Sequence, residues 1–136
     1  MNDLVQLRER AMQAAQRAYS PYSRLRVGAA LRSCSGQVYT GCNVENAAFP
    51  VGGCAERAAI ASAVQAEGPD FRLAEIAVAA FASDGTALPV SPCGACRQAL
   101  VEFCVTARVS FLQPDGTWID VETGALLPYR FVFENS

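Results

Sequence analysis

A chain of 136 residues, 51% hydrophobic and 18% charged, is expected to form one domain, 1–136, with enough apolar material for a real core, which excludes a disordered segment. Its net charge of −2 gives no electrostatic attraction for nucleic acid, and no apolar run approaches a membrane span, so neither partner is expected. It has no histidine, and all 11 basic residues are arginine, which removes Ser-His and Cys-His nucleophiles, histidine metal sites, lysine Schiff bases and a P-loop lysine.

The first ten residues are charged and helical in pattern, without the apolar stretch of a signal peptide, so the expected location is the cytoplasm. There the six cysteines are expected to be thiols and metal ligands, not disulfides. Residues 3–19 read as a helix that Asn2 or Asp3 can cap, with Leu4, Leu7, Ala11, Ala14, Ala15 and Ala18 at helical spacing. Arg8, Arg10 and Arg17 sit off that stripe, and Ser20-Pro21-Tyr22-Ser23 ends the element. Alternation of Leu25, Val27, Ala29 and Leu31, then of Val38, Thr40 and Cys42 after a Ser35-Gly36 turn, predicts a hairpin of about 25–33 with 37–43. Gly28 within its first strand implies a bulge or a close backbone approach.

Residues 44–53 are irregular, and an alanine-rich helix is expected at about 54–66, stopped by Gly68-Pro69. The run Leu73 to Ala82 fits a strand covered on both faces. A turn at Ser83-Asp84-Gly85 leads to a second cysteine-bearing helix at about 93–104, then strands at 108–112 and 118–121 and a helical turn at 122–127. The tail Tyr129-Arg130-Phe131-Val132-Phe133 is too apolar to stand alone in water. The order α-β-β-α-β-α-β-β implies an α/β fold. Its five-stranded sheet carries helices on both faces, and its two strand–helix–strand units are right-handed crossovers between parallel strands.

Two stretches carry the chemistry: Cys54-Ala55-Glu56-Arg57 and Pro92-Cys93-Gly94-Ala95-Cys96-Arg97-Gln98. Cys54 begins one predicted helix; Cys93 and Cys96 occupy the first turn of the next, three apart on one face. Helix starts favour the thiolate, which is the form that binds zinc. Three protein ligands leave the fourth position of zinc open for water, the catalytic arrangement. Glu56, two residues after the first thiol, is placed to handle protons, although a carboxylate there also complements a helix dipole. Three thiolates around Zn²⁺ sum to −1, which Arg57 or Arg97 can offset. The rivals are a redox dithiol and a closed structural zinc with Cys34, Cys42 or Cys104 as fourth ligand; the first leaves the C-x-E stretch unused, and Cys42 and Cys104 look like small core residues.

The C-x-E…P-C-x-x-C pattern is the three-cysteine form of the zinc-deaminase signature. The chain closely resembles the small homotetrameric cytidine deaminases over nearly its whole length. The matching stretches are Tyr19-Ser20-Pro21-Tyr22-Ser23, Val27-Gly28-Ala29-Ala30, Gly41 to Ala47, Cys54 to Arg57, Ser91 to Gln98, and Leu126-Leu127-Pro128. The G-C-N-x-E-N stretch separates the cytidine enzymes from blasticidin-type relatives that share the cysteines. The resemblance implies a three-layer α/β/α sandwich with a mixed five-stranded sheet. It implies one zinc per chain on Cys54, Cys93 and Cys96, with Glu56 as proton shuttle. It implies Asn43 and Glu45 as ribose ligands, the Ala55 backbone against the pyrimidine, and Phe131 reaching a neighbouring subunit's site in a homotetramer with shared active sites. The reaction implied is hydrolytic deamination of cytidine and deoxycytidine in pyrimidine salvage, the other reading being a deaminase of another small aminated heterocycle such as a blasticidin-type nucleoside. Leu25 stands where the family usually has a phenylalanine that packs on the substrate base, so it offers apolar area without aromatic stacking.

Overall fold

A computed structural model describes residues 3–133. The helix expected first is α1, Asp3–Ala15, shorter than its alanine pattern because the chain tightens into turns at Gln16 to Ala18 and Tyr19 already bridges Val44. Asn2, a candidate cap, lies outside the described residues. The hairpin follows as β1, Arg26–Ser33, and β2, Val38–Cys42; α2 spans Ala55–Glu67 and β3 Leu73–Phe81. A two-residue strand absent from the sequence reading, β4 at Ala87–Leu88, pairs with the end of β3. Then come α3, Gly94–Phe103, β5, Arg108–Leu112, β6, Trp118–Glu122, and the short α4, Thr123–Leu126.

The sheet order is β2-β1-β3-β5-β6, with β4 off that path. β1 is antiparallel to both β2 and β3, so β2 and β3 run parallel with β1 between them, and β3 and β5 are parallel neighbours. Both helical connections, β2-α2-β3 and β3-α3-β5, therefore join parallel strands and step the same way across the sheet. A common handedness then places α2 and α3 on one face. The packing agrees: Ala59, Ile60 and Ala63 of α2 and Leu100 of α3 meet Ala29, Leu31, Ile76, Val78 and Val109 on that face. On the other face Leu4, Leu7 and Ala11 of α1 meet Ala30, Ala77 and Ala79. Consecutive residues of β1 and β3 thus feed two cores, which is why β3 reads as an unbroken apolar run and why Ala30 of β1 is apolar between Ala29 and Leu31. The result is an α/β/α sandwich on a mixed sheet.

Two glycines set how closely the helices approach. A β-carbon on Gly28 would lie 2.0 Å from the Ala11 carbonyl oxygen and 2.4 Å from the Ala15 nitrogen, so the glycine marks a close approach of α1 and not a bulge. A β-carbon on Gly41 would lie 2.5 Å from the Ala59 nitrogen and 2.6 Å from the Ala55 oxygen. Gly41 therefore lets the first turns of α2 press against β2, and those turns carry the candidate site. Arg8, off the apolar stripe of α1, is a structural clamp: its Nε donates to Ser110 Oγ at 2.9 Å and its Nη2 to Asp120 Oδ1 at 2.8 Å, with the guanidinium 5.1 Å above the Trp118 ring. No helix among the described residues is long and apolar enough to cross a membrane.

Candidate metal centre and active-site cleft

The parallel strands β2 and β3 deliver the chain to the same edge of the sheet, and α2 and α3 start from there, the usual place for a site in an open α/β sheet. Cys54 is the N-cap of α2 and Cys93 the N-cap of α3, each with extended backbone and neither making a side-chain capping bond. Capping preference favours Ser, Thr, Asp or Asn at such positions, so it does not explain two cysteines. Cys96 lies one turn into α3, fully buried.

These three sulfurs lie within 4.8 Å of one another, with Cys54 Sγ 3.9 Å from Cys93 Sγ. Tetrahedral zinc with Zn–S bonds of about 2.3 Å needs sulfurs about 3.8 Å apart, so the trio fits as it stands. Among the described residues no fourth cysteine joins it: Cys34 is exposed, and Cys104 packs partly into the core with its sulfur 3.3 Å from Thr106 Oγ1. A donor set of three leaves the fourth position open. The electrostatics ask for a cation as well. Burial, then the nearby Glu56 carboxylate, push the Cys96 thiol far above its ordinary pKa. Burial also opposes ionising Cys93, but hydrogen bonds from the Cys96 backbone and from the Cys96 and Cys54 sulfurs outweigh it and hold that thiol below its ordinary value. A divalent cation among the sulfurs stabilises all three thiolates together.

Glu56 is 4% exposed, yet it lines the cleft. Burial pushes its carboxyl above the ordinary carboxylate range, against its own backbone N–H, the Cys96 thiol and the charge of Arg57. Ala55, the first residue of α2, is buried beside it, and its N–H is one of those at a helix start without a partner inside the helix. Arg57 places Nη2 3.6 Å from Cys54 Sγ, where its charge offsets excess thiolate. Arg97 does something else: its Nε donates to the Pro92 carbonyl at 2.7 Å, Nη1 to the Leu126 carbonyl at 3.0 Å and Nη2 to Ser91 Oγ at 3.1 Å. It fastens the segment leading into α3, and the end of α4, to α3.

The cleft has a volume of about 790 Å³ and is lined by Cys54, Cys93, Glu56 and Arg57 of the metal centre. Asn43, Glu45 and Ser23 also line it, with apolar area from Leu25, Val27, Phe49 and Val90. Val44, between the two polar residues, pairs with Gly53, which brings the end of β2 back beside Cys54. Asn43 Oδ1 accepts from the Val27 N–H and its Nδ2 donates to the Leu25 carbonyl, both at 2.8 Å. Glu45 Oε1 accepts the N–H groups of Tyr22 and Ser23 at 2.9 and 3.0 Å, and Oε2 accepts the Ser23 hydroxyl. Both side chains thus bond the segment before them, 22–27, and not the loop after them; Asn46 serves that loop by accepting from the Ala48 N–H at 2.9 Å. Phe131 does not line this chain's cleft but lies with Val132 and Phe133 over Gln98, Val101 and Glu102 of α3.

Ser23, Tyr22 and Phe49 are cleft residues to which sequence reasoning gave no role. Ser23 stood inside a matching stretch, but its partner is 22 positions away and left no local signal. Tyr22 and Phe49 meet edge to face with ring centroids 5.8 Å apart, a pairing likewise set by the fold.

Residues 1–113 match the family model described as the cytidine and deoxycytidylate deaminase zinc-binding region. A cytidine deaminase of Sporosarcina psychrophila is 45% identical over 134 residues, 98% of this chain and 94% of that protein. One of Halalkalibacterium halodurans is 40% identical over 134 residues, 98% of this chain and 97% of the relative. Among solved structures, a Burkholderia pseudomallei cytidine deaminase superposes with a TM-score of 0.82 at 41% identity, covering 96% of this chain and all of the other. A Mycobacterium tuberculosis cytidine deaminase gives 0.77 at 38% identity, covering 98% and 100%.

Proposed function

We infer that this chain, which belongs to the cytidine and deoxycytidylate deaminase family, is a zinc-dependent hydrolase that converts cytidine and deoxycytidine to uridine and deoxyuridine with release of ammonia. The observation that carries this reading is the meeting of three thiols within 4.8 Å of one another, on a cleft wall, beside the buried carboxylate of Glu56. Cys54, Cys93 and Cys96 would hold the zinc, which when bound supplies the Lewis acidity that makes water nucleophilic near neutral pH. Glu56 takes a proton from the attacking water, delivers one to ring nitrogen N3, and carries a second to the amine leaving C4. Its buried position favours holding a proton between those transfers. Arg57 balances the thiolate charge through Cys54.

The Ala55 N–H orients the pyrimidine, Leu25 and Val27 cover its face, and Asn43 and Glu45 hold the sugar hydroxyls. Each of these residues lines the cleft, which supports the assignment. The protein works as a cytoplasmic homotetramer in pyrimidine salvage, with Phe131 completing a neighbour's site. Support for assembly comes from the tail, where Phe131 is 72% and Phe133 79% exposed, with Val132 between them also exposed.

Steady-state kinetics on cytidine, deoxycytidine, cytosine and a blasticidin-type nucleoside test the substrate; efficient turnover of the last with none of cytidine overturns the reading. Light scattering tests assembly, with an active monomer as the refuting result. Removing residues 129–136 is expected to damage activity and assembly together.

A further inference from the structure

The Glu45 carboxylate has little acceptor capacity left. Oε1 already takes two backbone N–H groups, from Tyr22 at 2.9 Å and Ser23 at 3.0 Å, which fills both its lone pairs. Oε2 takes the Ser23 hydroxyl and keeps one lone pair for a ligand. The Ser23 hydroxyl is itself fixed, because its oxygen accepts the Leu25 N–H at 3.0 Å. Between Ser23 and Leu25, Arg24 has φ of 61°, the left-handed region that a residue with a side chain adopts only when its surroundings hold it there. The Arg24 N–H closes the turn on the Ser20 carbonyl at 2.9 Å. A single serine therefore ties a strained turn to the carboxylate and decides where the last lone pair of Oε2 points. Ser23 and Glu45 both line the cleft.

We propose that Ser23 is a positioning residue for sugar recognition: its hydroxyl, locked by the Leu25 N–H, orients Glu45 Oε2 so that this oxygen accepts one hydroxyl of the nucleoside sugar. This rests on the reading of Glu45 as a sugar ligand. Losing the Ser23 hydroxyl leaves Glu45 charged and held by two N–H groups but free to swing Oε2. The loss falls on substrates that carry a sugar. Free cytosine, which makes no such contact, is indifferent to it.

The test is a double-mutant cycle of Ser23→Ala and Glu45→Ala in the zinc-loaded enzyme, assayed on cytidine and on cytosine, with uridine binding measured by calorimetry. Ser23→Ala is expected to raise the cytidine KM and the uridine Kd about tenfold, a loss typical of a hydrogen bond to a charged group. Its kcat should change less, and its cytosine kcat/KM should not change. In the Glu45→Ala background the same substitution should add nothing. Ser23→Thr, which keeps a hydroxyl, should restore most of the affinity. If Ser23→Ala harms cytosine as much as cytidine, or if its effect persists undiminished without Glu45, Ser23 acts on the wall as a whole and the proposal fails. If Glu45→Ala weakens cytidine and Ser23→Ala does not, the positioning role alone is wrong. If Glu45→Ala leaves cytidine unaffected, the sugar assignment itself falls and the positioning role with it.

Discussion

At the metal centre the reactive groups sit at the N-caps and first turns of two helices, whereas for Asn43 and Glu45 all four polar side-chain atoms are already bonded to the segment 22–27. Cys54 and Cys93 make no capping bonds, and Glu56 keeps a charge-bearing group in a place where burial disfavours the charge. A residue set kept against stability is held for chemistry; one that also builds the cleft wall does two jobs at once. Substitutions in the two sets should therefore separate function from stability in opposite ways.

The thiols give the sharpest separation. Cys54→Ser or Cys93→Ser should lose zinc and bring deamination to background. The same change puts serine, a favoured N-cap residue, at a cap with suitable extended backbone. The metal-free variants should melt no lower than the metal-free parent, and up to about 1 kcal/mol of added stability is expected from the cap. Metal analysis paired with thermal melts of both metal-free proteins checks this. Full zinc retention, or a metal-free variant much less stable than its parent, would make these cysteines structural. Glu56→Gln comes next: zinc and fold retained, turnover reduced by about 10²–10⁴-fold or more, since proton transfer is asked of it more than once. Turnover within tenfold of the parent would remove Glu56 from the proton path.

This contrast also decides what could be read from sequence. Cys54, Glu56, Cys93 and Cys96 fall at short fixed spacings and at helix starts, so the metal centre was legible from local pattern alone. The strands were legible too, β1 and β2 from alternation and β3 because two-sided burial writes an unbroken apolar run into it. β4 escaped because two residues carry no periodicity, and the last turn of the first helix was overread because alanine fits helix and tight turn equally. The wall was only half legible. Asn43 and Glu45 stood out in a matching stretch, but their bonds run 16 to 23 positions back along the chain, and no spacing rule reveals them. Arg97 was misjudged for the same reason: its three acceptors lie before and far beyond its own helix.

Asn43→Ala should show the double duty of the wall. It removes two hydrogen bonds that pin the start of β1, each worth roughly 0.5–1.5 kcal/mol net, so about 1–3 kcal/mol of stability should go. For a chain of this size that is a fall in Tm of roughly 3–10 °C. The cytidine KM should rise in the same variant, with zinc content unchanged. A normal melting temperature with a raised KM would make Asn43 a ligand only; the reverse would make it scaffold only.

The smallest effect concerns the charge of Glu45. The Ser23 hydroxyl, then the Ser23 N–H, hold its carboxyl below the ordinary value of 4.5, helped by the Tyr22 N–H and opposed by partial burial. Because the folded value lies below the unfolded one, the unfolded chain binds the extra proton on acidification. The stabilisation is complete above about pH 4.5 and is lost as pH falls through the folded value. Glu45→Gln cannot titrate, and its neutral amide oxygen is a weaker acceptor than a carboxylate for the Tyr22 and Ser23 N–H groups. The variant should therefore be less stable than the parent at pH 7, and the gap should narrow below pH 4.5. Both proteins are compared metal-free by denaturant unfolding, so that acid release of zinc does not enter. The same lowered value keeps Glu45 charged throughout pH 5–8, so no step in the cytidine KM over that range should trace to it. A stability gap that stays constant from pH 7 to pH 3.5 would mean that the carboxylate charge does not hold the 22–25 turn, and the wall would then rest on Asn43 and the turn's own backbone bonds.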